Sequence, residues 1–199
     1  MSTGGKLAAA VAVTAVVSVA AVEAFHRYID NKATPKCEEK SDFTAKKPHS
    51  EELIREQLAR NYAFLSEEGM AAVRGQRIVV IGAGGVGSWV VTMLIRSGVE
   101  TVRIIDFDQV SLSSLNRHAV ANLNDVGTSK VECLRTHLHQ IAPWAEIQVR
   151  NQLWNVESGE ELIFGGDFKP TLVVDCIDNI DTKVDLLAFC HEKKVKVIS

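Results

Sequence analysis

The apolar run Ile78-Val79-Val80-Ile81 opens directly into Gly82-Ala83-Gly84-Gly85-Val86-Gly87-Ser88. A strand that ends in glycines and restarts as a helix has few folded contexts. The glycines permit a tight turn, and the helix N-terminus presents backbone N–H groups that have no partner inside the helix. That pairing receives the phosphates of a nucleotide at the edge of a parallel sheet. Asp106 follows Gly87 by 19 residues and closes the next apolar run, where an acid binds ribose hydroxyls. A strand-terminal Asp that caps a turn is the plainer alternative. The glycine pattern alone does not separate NAD from ATP.

The rest of the chain alternates in the same way. A helix from Ser50 through Arg60 and a shorter one after Ser66 lead into strand Arg77–Ile81. Helix Gly85–Ser97, strand Val102–Asp106 and an irregular segment come after it. Next come helix Thr128–Ile141, ending at Pro143, strand Glu146–Arg150 and a short helix Val156–Phe164. Strand Leu172–Asp175, helix Thr182–Lys193 and strand Val195–Ile198 complete the pattern. The reading is α/β: a Rossmann-like, doubly wound, mostly parallel sheet with an N-terminal hydrophobic helix. Functional groups then gather at the C-terminal edge of the sheet. The last strand stops at Ser199 where a doubly wound domain would continue, so a fragment or a truncated product is expected.

From Leu7 to Val22 no charge interrupts a run of Ala, Val, Thr and Ser, with Lys6 before it and Glu23 and Arg27 after. Sixteen helical residues span about 24 Å, short of the ~30 Å bilayer core unless Gly4 to Phe25 all contribute. Three readings stand: a weak membrane anchor, a secretory signal cleaved near Ser18-Val19-Ala20-Ala21, or a buried helix. The anchor is preferred, because secretion sits badly with unpaired cysteines and an ATP site. Residues 1–30 are thus read as an anchor, with residues 7–25 in the membrane. Residues 31–50, with Pro35, Pro48 and five lysines, form a polar linker, and 51–199 the nucleotide domain.

Net charge is −3, which gives no electrostatic footprint for nucleic acid. The four cysteines form no Cys-x-x-Cys pair, which argues against a zinc site and for free thiols in a reducing compartment. His137 and His139 are two apart on a predicted helix, so they are not a metal pair. Trp89, Trp144 and Trp154 read as packing residues.

Residues beyond the glycine turn favour ATP. Asp108 adds a second acid that NAD binding does not require. Arg117 in Asn116-Arg117-His118 offers a planar fork to phosphate oxygens. Gly127-Thr128-Ser129-Lys130 opens a helix with a Lys beside free amides; taken singly, that Lys could equally be a solvated first-turn residue. Asp178, after strand end Asp175, is placed for Mg²⁺, which prefers carboxylate, water and phosphate oxygens. Asp178 also has the simpler option of capping the next helix, although Asp181 suits that better.

Together, Gly82-x-Gly84-Gly85-Val86-Gly87-Ser88, Asp106-Phe107-Asp108, Asn116-Arg117, Lys130 and Asp175-x-x-Asp178-Asn179 resemble the adenylating, ThiF-type fold of the ubiquitin-activating-enzyme superfamily, over about residues 55 to 199. The resemblance implies ATP, Mg²⁺, attack of a carboxylate on the α-phosphate and release of pyrophosphate. It implies ATP binding by Gly82, Gly84, Gly85, Gly87, Asp106, Asp108 and Asn116. Arg117 and Lys130 serve the phosphates, Asp178 the metal, and Arg60 the nucleotide of a partner in a homodimer. Ser114 stands where many members carry Asn, and His118 where Gln is common.

Within the superfamily, Gly85-Val86-Gly87-Ser88-Trp89, Gln140-Ile141-Ala142-Pro143 and Asp175-Cys176-Ile177-Asp178 resemble the tRNA threonylcarbamoyladenosine dehydratases. The resemblance implies a tRNA substrate, bound through a region beyond Ser199. Arg55 through Leu65 and the hydrophobic N-terminus resemble fungal members at the cytosolic face of the mitochondrial outer membrane. Other functions remain open: activation of a ubiquitin-like or sulfur-carrier C-terminus, an NAD-dependent oxidoreductase, or a nucleotide-binding or dimerisation module without catalysis.

Overall fold

The computed structural model describes residues 50–199. The expected anchor and all of the linker before Ser50 lie outside the described residues. Among the described residues, no helix is long and apolar enough to cross a membrane.

Two helices precede the sheet: α1 (Glu51–Gln57) and α2 (Ala59–Arg74). Ser50 caps α1, its Oγ accepting the Leu53 N–H, and acids occupy the first turn where the helix dipole favours them. The break falls at Leu58 rather than after Arg60, because Leu58 turns inward to 2% exposure beside Met70. Ser66 kinks α2 at φ 66°, ψ 174°. Arg74 fastens this pair to the sheet by gripping the Glu51 carboxylate, the Tyr62 hydroxyl (2.8 Å) and Glu100 (2.5 Å).

The sheet holds β1 (Arg77–Ile81), β2 (Thr101–Ile105), β3 (Glu146–Arg150), β4 (Leu172–Asp175) and β5 (Val197–Ile198), all parallel, in the order β3-β2-β1-β4-β5. Between them run α3 (Gly85–Arg96), α4 (Lys130–Ile141), α5 (Val156–Phe164) and α6 (Ile180–Glu192). Alternate residues of β1 serve opposite faces. Ile78 and Val80 pack with Val91 and Ile95 of α3 and with Leu134 and Leu138 of α4. Val79 and Ile81 pack with Leu162, Ile163, Leu186 and Phe189 of α5 and α6. Two buried layers clasp one sheet, as the continuous apolar strands require. Trp154 is buried in a T-shaped contact with Phe189, as expected of a packing residue, whereas Trp89 is half exposed and donates to the Arg117 carbonyl at 3.1 Å.

Helix boundaries depart from the apolar pattern where local hydrogen bonds override it. Helix α4 begins at Lys130, not Thr128, because Gly127 at φ 91° and Thr128 pair with Val110 and Asp125. Helix α6 begins at Ile180 with Asn179 as its cap, accepting the Thr182 N–H at 3.0 Å; Asp181 sits inside the first turn instead.

Adjacent order reverses at β1, which has β2 on one side and β4 on the other. That reversal opens a crevice above the strand ends. The glycine turn makes close approach there possible. Gly82 has φ +95°, and a Cβ on Gly87 would lie 1.8 Å from the Gly82 carbonyl oxygen. Gly87→Ala must push α3 off β1, and a cost of about 3 kcal/mol or more is expected. Urea unfolding measures it as a lowered midpoint; a change under about 0.5 kcal/mol would refute the packing role.

Candidate nucleotide site

A cavity of about 540 Å³ occupies the crevice, within the range of about 300–1,000 Å³ usual for small-molecule sites. Its walls come from the ends of β1, β2 and β4 and the loops beyond them. Of the predicted residues, Gly82, Gly84, Gly85, Asp106, Asp108, Arg117, Lys130 and Asp178 line it. Gly87, Asn116 and Arg60 do not. Gly87 is buried under the turn, Asn116 takes a bond from the Arg117 guanidinium (3.2 Å), and Arg60 is exposed on α2.

The glycines divide the work. Gly84, the N-cap of α3, has no neighbour within 4 Å of where a Cβ would stand, so its surface is free for a ligand. It supplies no side-chain cap, which leaves the first-turn amides of α3 available to an anion. Gly85 lies under the Arg117 side chain, whose Cδ would be 3.1 Å from a Cβ there.

Asp106 ties the two neighbouring loops together. One carboxylate oxygen accepts the Ala83 N–H at 2.6 Å and the other the Asp108 N–H at 2.7 Å. Each oxygen keeps a further lone pair for a ribose hydroxyl. Turn-capping and the expected ribose role are therefore compatible in one side chain.

Two cations reach the cavity from different elements. Lys130, 8% exposed, pairs through Nζ with Asp108 at 2.6 Å. Arg117 donates to the Ser113 carbonyl at 2.6 Å, which fixes the guanidinium and leaves N–H groups unspent. Ser114 stays out of the cavity. It is buried with its Oγ on the Ser111 N–H (3.2 Å), so the serine at this place supports the loop. His118 is buried too, and burial, then the Lys130 charge, holds its imidazole below the ordinary histidine range.

Asp178 is exposed at the cavity wall and has no side-chain partner among the described residues. Asp175, by contrast, is spent: it accepts from the Ile177 N–H (2.9 Å), Lys183 Nζ (2.6 Å) and Ser199 Oγ (2.9 Å). Of the two acids in this motif, only Asp178 is free to meet a hard cation. Sequence reasoning missed Phe107, Gln152, Leu153, Ile177 and Thr182, which also line the cavity. Only their place just past strand ends or on the α6 first turn marked them.

A parallel sheet with this order, a glycine turn at its switch point and acid and base groups around one cavity define a nucleotide-binding α/β domain. The ThiF family model matches residues 58–199, and the chain belongs to the ThiF family. It is 56% identical to tRNA threonylcarbamoyladenosine dehydratase 2 of Saccharomyces cerevisiae over 160 residues, which is 80% of this chain and 36% of that protein. It is 47% identical to dehydratase 1 of the same yeast over 191 residues, 95% of this chain and 44% of that protein. The crystal structure of Escherichia coli tRNA N6-threonylcarbamoyladenosine dehydratase in complex with ATP superposes with a TM-score of 0.68 at 27% identity, covering 72% of this chain and 58% of that one. The chain spans less than half the length of either yeast protein.

Proposed function

We propose that this chain carries the ATP-dependent adenylation step of a tRNA threonylcarbamoyladenosine dehydratase. The single observation that carries the reading is the convergence of Arg117, Lys130 and an unpartnered Asp178 on one cavity beside the glycine turn. The similarity to the two yeast dehydratases supports the substrate.

The threonyl carboxylate of the modified adenosine attacks the α-phosphate of ATP, and the bond to pyrophosphate breaks. The resulting acyl-adenylate is an electrophile. A nucleophilic atom of the same modification attacks the acyl carbon, gives up its proton and displaces AMP, which carries off the oxygen lost in dehydration. Asp106 holds ribose, and the α3 amides receive phosphate oxygens. Lys130 exchanges Asp108 for phosphate, and Arg117 stabilises charge that develops as the α-phosphate is attacked. An exposed carboxylate next to a phosphate site suits Mg²⁺, and Asp178 is the residue that would hold it. Such an ion would supply charge neutralisation to the phosphates. Arg60, outside its own cavity, acts in a homodimer on the partner's nucleotide.

The substrate reading is tested on the full protein with tRNA bearing threonylcarbamoyladenosine and Mg-ATP. Nucleoside mass spectrometry is expected to show conversion to the cyclised form, one water lighter. No conversion, with adenylation of a ubiquitin-like or sulfur-carrier C-terminus instead, would replace tRNA by a protein substrate.

Residues 1–30 serve in this reading as an anchor in the mitochondrial outer membrane, with the domain in the cytosol where ATP and tRNA meet. The uncharged run from Leu7 to Val22 motivates it. Carbonate extraction of isolated mitochondria should leave the protein in the membrane pellet and external protease should remove the domain. Recovery in the soluble fraction, or protection from protease, would sink the anchor.

A further inference from the structure

Cys133 and His137 sit four residues apart on α4 and so share one face of the helix. The short turn Leu123–Asp125 brings the Asp125 carboxylate to them. One donor atom from each of the three lies within 4.8 Å of the others. Asp125 Oδ2 and His137 Nε2 are 2.9 Å apart, and Asp125 also accepts the Asn122 N–H at 2.8 Å. Cys133 is 3% exposed. Burial, then the Asp125 charge, pushes its thiol up to about 12. Such a group is inert unless a cation takes the proton's place.

His118 supplies a second observation. It is 6% exposed, its Nδ1 accepts the Ala121 N–H at 3.2 Å, and its Nε2 is buried with no hydrogen-bond partner among the described residues. The Asp125 carboxylate acts on it electrostatically. None of these four side chains lines the nucleotide cavity.

We propose that Asp125, Cys133 and His137 form a site for a zinc-class divalent cation, with water in the fourth position. One oxygen, one sulfur and one imidazole nitrogen suit a borderline ion, whereas Mg²⁺ and Ca²⁺ call for oxygens. Metal–ligand bonds of about 2.0–2.3 Å in a tetrahedron set the donors about 3.3–3.7 Å apart. The Asp125–His137 pair, at 2.9 Å, opens to that spacing and the Cys133 sulfur, within 4.8 Å of both, draws in, which takes side-chain shifts of about 1 Å. The carboxylate and the thiolate balance the dication, so the half-buried site is neutral and its desolvation inexpensive. The Cys133 proton leaves to solvent. The His137 hydrogen facing Asp125 moves to Nδ1, which frees the Nε2 lone pair. The ion thereby staples the loop before α4 to the helix that begins with Lys130, and it positions Lys130 without touching the nucleotide. The spacing Asp-x₇-Cys-x₃-His contains no Cys-x-x-Cys pair. Pair-counting of cysteines therefore passed over it.

The test is metal loading of the whole chain as wild type, Cys133→Ala, His137→Gln and Cys176→Ala, each checked for folding by circular dichroism. Co²⁺ is the optical probe. Wild type and Cys176→Ala are expected to develop a thiolate-to-cobalt charge-transfer band with tetrahedral visible bands, and to retain stoichiometric zinc after dialysis. Cys133→Ala should lose the band, and His137→Gln should weaken loading by about 10- to 100-fold or more. If Cys133→Ala fails to fold, His137→Gln carries the decision. A wild type with neither band nor retained zinc, or unchanged loading in His137→Gln, would overturn the site and leave Asp125 as the hydrogen-bond partner of His137 and of the Cys133 thiol. No readout involves ATP, so this result is independent of the nucleotide reading on which the role of Lys130 rests.

Discussion

Arg117→Ala is expected to slow ATP-dependent adenylation by about 10²- to 10³-fold while changing ATP affinity far less. The guanidinium is already held by the Ser113 carbonyl and lies over Gly85 at the mouth of the phosphate loop. It therefore costs no reorganisation when charge develops on the α-phosphate. A donor fixed in advance acts on the transition state more than on bound ATP. Pyrophosphate exchange gives the rate and calorimetry the affinity. Arg117→Lys should not restore the rate, because a point charge on a flexible stem does not reproduce the planar fork. Loss of affinity equal to the loss of rate would make Arg117 a simple binding residue. Lys130→Ala bears on the same step, and since Asp108 is about half exposed, its carboxylate can turn to water in that variant.

The largest effect on stability is expected at Arg103, on the face of the sheet away from α3. Its side chain is 1% exposed. It donates to the carbonyls of Leu162 and Ile163 (3.1 Å each) and Gly165 (2.8 Å), which end α5, and to Gln148 Oε1. The guanidinium also lies 4.2 Å from the Phe168 ring centre. Burial, then the charges of Arg150 and Arg77, lowers its pKa to about 10, so it remains a cation at neutral pH. Arg103→Met fills the space but leaves the helix-end carbonyls without donors. Each buried unpaired acceptor costs about 1–3 kcal/mol, and a total of about 3–5 kcal/mol is expected. Against a usual domain stability of about 5–15 kcal/mol that is a large share. Urea unfolding should show a midpoint lowered accordingly. A loss below about 1 kcal/mol would mean that water replaces the guanidinium.

Strands β1, β3 and β4 have the bounds their sequences predict, because each is an unbroken apolar or alternating run between charged or turn residues. β5 is shorter than the run Val195–Ile198, since the Val195 N–H is used to cap α6 at the Cys190 carbonyl. The glycine turn and Asp106 were legible because spacing from strand ends fixes their height above the sheet, whereas Arg117 and Lys130, in and after an irregular segment, were legible only from their chemistry and the family resemblance. The partners that distinguish Asp178 from Asp175 were not. That Asp175 is spent on Lys183, eight residues along the chain in α6, depends on how the helix lies on the strand. The same holds for Asp125, Cys133 and His137, joined by a turn whose course no periodicity describes. Arg103 is the one charged residue of β2, and its carbonyl partners lie about sixty residues later.

The most direct test of the account is the fate of ATP during tRNA modification. With the full protein, tRNA carrying threonylcarbamoyladenosine and ATP labelled on the α-phosphate, the account predicts labelled AMP and pyrophosphate in equal amounts, matched to the cyclised nucleoside formed. Labelled ADP with inorganic phosphate at the same stoichiometry would place the attack on the γ-phosphate and contradict adenylation.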